Sequence, residues 1–189
     1  MADIKTSVEE ILAMSGADLR CRMPEVMENL RKAGIGKVLR QSPDFFSRLL
    51  KKLRETDAAG IFTASSQSGE ALMDLFWEGM ASRAAESPEM ESLLQRAERE
   101  FHVNIEASDS PLASHFVVQG GRIKGAHGLL PFKDEDFRFM GPTATLCELL
   151  TGDLPLGFSN VNLQTAGHSG WVRRVAPVVR GINRLVKGE

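Results

Sequence analysis

Residues 137–167 read FRFMGPTATLCELLTGDLPLGFSNVNLQTAG. FRFM is a short strand in which Phe137 and Phe139 alternate with Arg138 and Met140. Gly141-Pro142-Thr143 ends it and opens a helix, with Leu146, Leu149 and Leu150 on one face and Gly152 as the stop. After a loop, Val161, Leu163 and Thr165 alternate in a further strand. The stretch is strongly ordered, yet it holds no histidine, no paired carboxylates and no phosphate-type glycine loop.

Upstream, FHVNIEAS places Phe101, Val103, Ile105 and Ala107 on one face of a half-buried strand. SHFVVQGGRIKGA puts Gly120-Gly121 between two short apolar runs, the pattern of a hairpin. Downstream, Ser169 is placed as the cap of a last helix whose apolar stripe is Trp171, Val175, Val178, Ile182 and Leu185. Arg173, Arg180, Arg184 and Lys187 form a basic stripe on it, and Pro177 kinks or splits it. The first hundred residues read as helices. Ser7 with Glu10 forms a capping box, and Gly16 ends that helix. Met23, Val26, Met27 and Leu30 continue at helical spacing. Ser42-Pro43-Asp44 and Ser87-Pro88-Glu89 are both cap, proline and acid starts. Asp57–Gly69, DAAGIFTASSQSG, is small and polar and reads as a boundary or linker. Leu72, Leu75, Phe76, Gly79 and Met80 mark a further helix. Helices first, then a four-strand run, a helix, one strand and a helix argue for an α+β layered fold rather than alternating βαβ units.

Composition bounds the rest. The 189 residues carry a net charge of −2, with 42% hydrophobic and 25% charged residues, as in a globular chain with a core. Cys21 and Cys147 lie far apart with no C-x-x-C spacing, which favours buried packing in a reducing compartment. The polar start MADIKTSVEE excludes a signal peptide, and there is no run of about 18 apolar residues to span a membrane, so the expected location is cytoplasmic. The charge is unevenly placed. Residues 31–54 hold eight basic side chains and one acid, and residues 70–109 hold ten acids and three basic side chains. Such blocks read as solvated faces, or as surfaces for each other or for a partner.

The chain offers only near misses to catalytic motifs. Gly167-His168-Ser169-Gly170-Trp171 has Trp where a nucleophile elbow needs glycine. Asp134-Glu135-Asp136 lacks the spacing of a calcium loop. The histidines at 102, 115, 127 and 168 make no metal-ligand spacing. There is no tyrosine and no aromatic-plus-basic sheet motif for nucleic acid. The expectation is a protein with no catalytic residues, no metal, no cofactor and no nucleic-acid partner; acyl hydrolysis through Ser169 and His168 is the enzymatic alternative.

At residues 137–167 the pattern F-x-F-x-G-P-x-A-T-L-x-x-L-L-T-G-x-L, followed by V-N-L-x-T-x-G, resembles the sterol carrier protein 2 family of lipid-binding domains. The hairpin FVVQGGRIKG is similar to the family's strand–turn–strand section, and the resemblance covers about residues 68–189. The chain departs from it at Phe158-Ser159-Asn160 and at His168. The resemblance implies a five-stranded, mainly antiparallel sheet covered by helices around an apolar tunnel at 68–189, with residues 1–66 as an extra helical N-terminal region. It implies a non-catalytic carrier of a fatty acid, fatty acyl-CoA, sterol or similar apolar molecule. The tunnel would be lined by Phe116, Val118, Ile123, Leu146, Leu150, Phe158, Leu163, Trp171, Val175, Val178 and Ile182. The alternative is an accessory protein that presents an apolar intermediate, such as an isoprenoid quinone precursor, to biosynthetic enzymes, with residues 1–66 as its docking surface. A lipid carrier would also touch a membrane, either through the 42–54 helix, with its apolar stripe and basic face, or through the C-terminal helix. For 42–54 the competing reading is packing onto the protein's own core.

Overall fold

The architecture was read from a computed structural model that describes residues 4–97, 100–154 and 162–189. Seven helices precede the sheet: α1 (Ile4–Ala13), α2 (Gly16–Ala33), α3 (Ile35–Gln41), α4 (Phe45–Glu55), α5 (Ala58–Ala64), α6 (Ser66–Glu86) and α7 (Pro88–Gln95). Then come β1 (Phe101–Ala107), β2 (Ala113–Gln119), β3 (Arg122–His127), β4 (Phe137–Gly141), α8 (Thr143–Thr151), β5 (Gln164–Gly167) and α9 (Ser169–Lys187). The fold is α+β, with a five-stranded sheet in the order β3-β2-β1-β4-β5 and helices packed on it. Three strand pairs are antiparallel, and the central β1–β4 pair is parallel, with Val103 opposite Phe137 and Ile105 opposite Phe139. Gly120 and Gly121, both at positive φ, make the two-residue β2–β3 turn that the hairpin pattern requires.

Alternation sorts the sheet into two faces. Phe101, Val103, Ile105, Phe116, Val118, Ile123, Phe137 and Phe139 point inward and are buried. Outward lie His102, Asn104, Glu106 and Arg138. There Arg138 donates to Glu135 and Glu106, and Asn104 exchanges hydrogen bonds with the Leu130 backbone, so the β3–β4 connection is strapped across that face. The inward face meets α6, which is buried on two sides because it lies between the sheet and the N-terminal helices, with Glu70 and Glu78 left exposed. Trp77 of α6 donates its Nε1–H to Ser114 Oγ at 2.6 Å and lies over Gly125, where a Cβ would come within 2.5 Å of the ring. On its opposite side Phe76 meets Phe46 of α4, ring centroids 5.2 Å apart, and Gly79 admits Leu39 and Phe46 closer than any side chain would allow.

One apolar core therefore runs from Val8 to Val186, shared by residues 1–66 and the sheet region. Phe45, Phe46, Leu49, Leu50 and Leu53 of α4 are all buried in it, against α8 and α9, so the apolar stripe of residues 42–54 is taken up by packing and is not free for a membrane. Ion pairs reinforce the same joint: Arg54 of α4 reaches Glu148 at 3.5 Å and Asp153 at 3.3 Å, and Arg40 reaches Glu86 at 3.0 Å across the two charge blocks.

Several local expectations change. Ser7 lies inside α1, which begins at Ile4, and Gly16 opens α2 under a Ser15 cap that accepts from Asp18 N. The stretch from Asp57 to Gly69 is no linker: Asp57 caps α5, whose Ile61 and Phe62 are buried, and α6 follows at once. Ser42 ends α3 rather than capping α4. Ser87 does cap α7, accepting from Met90 N at 3.2 Å. The fifth strand is Gln164–Gly167; Val161 and Phe158 lie outside the described residues. His168, not Ser169, occupies the N-cap of α9, its Nδ1 accepting from Gly170 N, and α9 continues unbroken past Pro177.

Candidate functional site

The sequence-derived tunnel residues fall into three groups. Phe116, Val118, Ile123, Leu146, Leu150, Val175, Val178 and Ile182 are 5% exposed or less, within the shared core. Leu163 and Trp171 are half-buried against that core. Phe158 is outside the described residues. Their faces agree with the periodicity that selected them. Of the set, Val178 lines the groove that lies beside them.

That space is a groove of about 610 Å³ between α7 and α9. The two helices close on each other where Gly181 of α9 meets Met90; a Cβ at Gly181 would be 2.6 Å from the Met90 sulfur. A narrow cleft beside that contact is lined by Met90, Leu93, Pro177 and Gly181. Beyond Leu93 and Pro177 the space widens. Its floor is apolar: Leu93 from α7, Ala97 just past its end, Phe101 from the start of β1, and Pro177 and Val178 from α9. Phe101 and Val178 are 0% and 2% exposed, so they lie beneath the floor, and the apolar surface open to the groove comes from Leu93, Ala97 and Pro177. Pro177 has no N–H for the Arg173 carbonyl, which removes one helical hydrogen bond from the groove wall.

The rim is polar and mostly cationic, formed by Glu89, Ser92, Arg96, Arg173 and Arg174. Arg174 lies over the Trp171 ring, 5.1 Å from its centroid, and Trp171 in turn stands 6.2 Å from the Phe101 ring. The Trp171 ring thus packs behind the groove, against Phe101 of its floor and Arg174 of its rim. The periodicity of α9 picked out Trp171, Val175, Val178 and Ile182 for their hydrophobicity. It gave no reason to select Leu93, Ala97 and Phe101, because the signal that joins them is the meeting of a helix end with a strand start, which only the fold supplies.

The arrangement offers a volume in the range of small-molecule sites, an apolar floor and a few charged groups at its mouth. Among the described residues it holds no assembled catalytic group. The histidines are engaged elsewhere: His102 with Glu100 and Asp136, His127 with Asp74, His115 with the Gly128 carbonyl and His168 at the α9 cap. Burial pushes the Cys147 thiol up to about 12, with Arg54 pulling weakly the other way, so it is an inert packing group. No group of three or more potential metal ligands occurs among the described residues, and no helix among them is long and apolar enough to cross a membrane.

Comparison with known proteins adds little to this geometry. No protein-family model matches the chain, and no curated protein matches it. Among solved structures, sterol carrier protein 2 from Yarrowia lipolytica, in its apo form, is similar at 12% sequence identity and a TM-score of 0.43, covering 65% of this chain and 94% of that one. The five-stranded sheet and its covering helices rest on the chain's own hydrogen bonds and packing, independently of that likeness.

Proposed function

We propose that the protein is a non-catalytic carrier that holds an apolar molecule, such as a fatty acid, fatty acyl-CoA or sterol, with its hydrocarbon part in the groove between α7 and α9. The observation that carries this reading is the groove itself, about 610 Å³ over a floor of Leu93, Ala97, Phe101, Pro177 and Val178. Binding needs only the removal of hydrocarbon from water, worth about 0.8 kcal/mol for each buried methylene. The arginines of the rim keep a polar end of the ligand at the mouth. The family resemblance of residues 68–189 points to the same class of ligand.

The test is displacement of a fluorescent acyl probe by n-alkyl ligands of increasing length. Affinity is expected to rise about fourfold per methylene, the factor that ~0.8 kcal/mol corresponds to, until the groove is full. Ala97→Trp, at a half-buried position on the edge of the core, fills the space. It should weaken the probe more than tenfold with little change in Tm. Failure of the wild-type protein to bind any acyl probe, or undiminished binding by the Ala97→Trp variant, would overturn the assignment.

A further inference from the structure

The exposed side of α9 carries Arg173, Arg174, Pro177, Arg180, Arg184 and Lys187, a cationic stripe about 21 Å long at 1.5 Å per residue. The chain as a whole has a net charge of −2, so this is a local departure and not a reflection of composition. Its acidic neighbours are few: Glu89 pairs with Arg184, and Glu189 borders the far end of the stripe. Arg173, Arg180 and Lys187 have no acidic partner among the described residues, and Arg174 is held on the Trp171 ring. The inward side of the same helix, Val175, Val178, Val179, Ile182, Leu185 and Val186, is committed to the core. The cations are therefore fixed in place by a buried helix and not carried on a loop.

We propose that this stripe docks the protein on the surface of an anionic lipid bilayer, with the groove mouth against the membrane. Two features select a bilayer over other polyanions. First, the stripe and the groove share Arg173, Arg174 and Pro177, which line the opening, so a surface that covers the stripe reaches the mouth. A bilayer supplies negative charge to the stripe and, in one contact, hydrocarbon to the apolar floor. Second, Trp171 sits at the junction, half-buried, with Arg174 on its face; an indole beside a cation suits the headgroup layer, where one end of the side chain is apolar and the other wet. The proposal rests on the lipid-carrying reading of the groove, but its physics is separate, being electrostatic attraction that falls with salt.

Vesicle co-sedimentation tests it, using phosphatidylcholine with and without phosphatidylserine at low and at physiological ionic strength. The expected result is binding to the phosphatidylserine vesicles alone, weakened by salt. Arg180→Gln with Lys187→Gln, outside the groove, should lower the partition coefficient roughly 25-fold, or about fivefold per cation, at the ~1 kcal/mol that each is worth near an anionic surface. The same double variant should keep its affinity for the soluble acyl probe. Equal binding to neutral and anionic vesicles, no binding at low salt, or an unaffected double variant would each overturn the proposal. So would retention on an acidic polypeptide or on DNA with none on vesicles. Loss of acyl-probe binding in the wild-type protein would instead strike the carrier reading, so the two failures are distinguishable.

Discussion

Cys147 sits on α8 with its thiol sealed into the core, whereas Cys21 on α2 is exposed. The difference has a pH signature. Above the ordinary thiol value of 9.0, the unfolded chain gives up a proton that the native state retains until about 12. The unfolded state then binds fewer protons, so stability falls as pH rises through this window, at up to ~1.4 kcal/mol per pH unit. Urea titrations from about pH 8.5 to about pH 11 should show this slope in the wild type and a shallower one in Cys147→Ala. A native-state thiol assay should modify Cys21 alone. Gly125 makes a second residue-scale case. Its substitution by alanine would drive a Cβ into the Trp77 ring and the His115 carbonyl, at 2.5 and 2.6 Å, and both belong to the sheet–α6 joint. Nothing in the pattern RIKGA marks that glycine as different from a turn residue, because the group that crowds it comes from α6, far away in sequence.

At the scale of elements, period was legible and capping residues much less so: Ser7, Ser42 and Ser169 are not the caps they resemble, while Gly152 is the stop it resembles. The strands at 101–107, 113–119, 122–127 and 137–141 and the helix closed by Gly152 lie where alternation and turn chemistry put them. Misreadings gather where residues of weak local preference are rescued by burial. Asp57–Gly69 looks like a linker by composition, yet Ala58, Ile61 and Phe62 earn helical structure by packing against α6 and α8. The Ser-Pro-acid signal occurs twice with different outcomes: at Ser87 it is a true cap, while at Ser42 the residue closes the previous helix. Ser87→Ala should therefore cost about 1 kcal/mol in chemical denaturation, the usual worth of a side-chain cap. Because α7 forms one wall of the groove, the same variant should also weaken acyl-probe binding, if only modestly. The groove was invisible to periodicity for a related reason: its walls, α7 and α9, are nearly eighty residues apart in the chain, roughly the separation of Ala97 and Arg174.

For the molecule as a whole, the decisive fact is the continuous core. Rings pass contact from Phe45 to Phe46, Phe76, Trp77, Phe116, Phe101 and Trp171, from the N-terminal helices through α6 and the sheet to the groove. Asn183 of α9 donates to the Leu149 and Leu150 carbonyls at 2.6 and 2.9 Å, which ties the last helix to the end of α8. The expected division at residue 66 therefore concerns sequence resemblance, while burial runs across it. A fragment of residues 66–189 would leave bare the surfaces of α6, α8 and α9 that α4 covers. It should fail to fold as a soluble monomer, and the full chain should unfold in one transition by circular dichroism and fluorescence alike. A cooperative melt by the fragment alone would count against this.

The ring contacts also give the protein its own optical reporter. The chain has two tryptophans and no tyrosine, so near-ultraviolet excitation reaches the two indoles with little competition. Trp77 is sealed between Phe76 and Phe116, with its N–H bound to Ser114, and should emit at short wavelength whatever the groove contains. Trp171, half-buried under the Arg174 guanidinium, supplies the red edge of the spectrum. A blue shift confined to that edge would register a change at Phe101 and Arg174, the groove residues the ring touches, with no label attached.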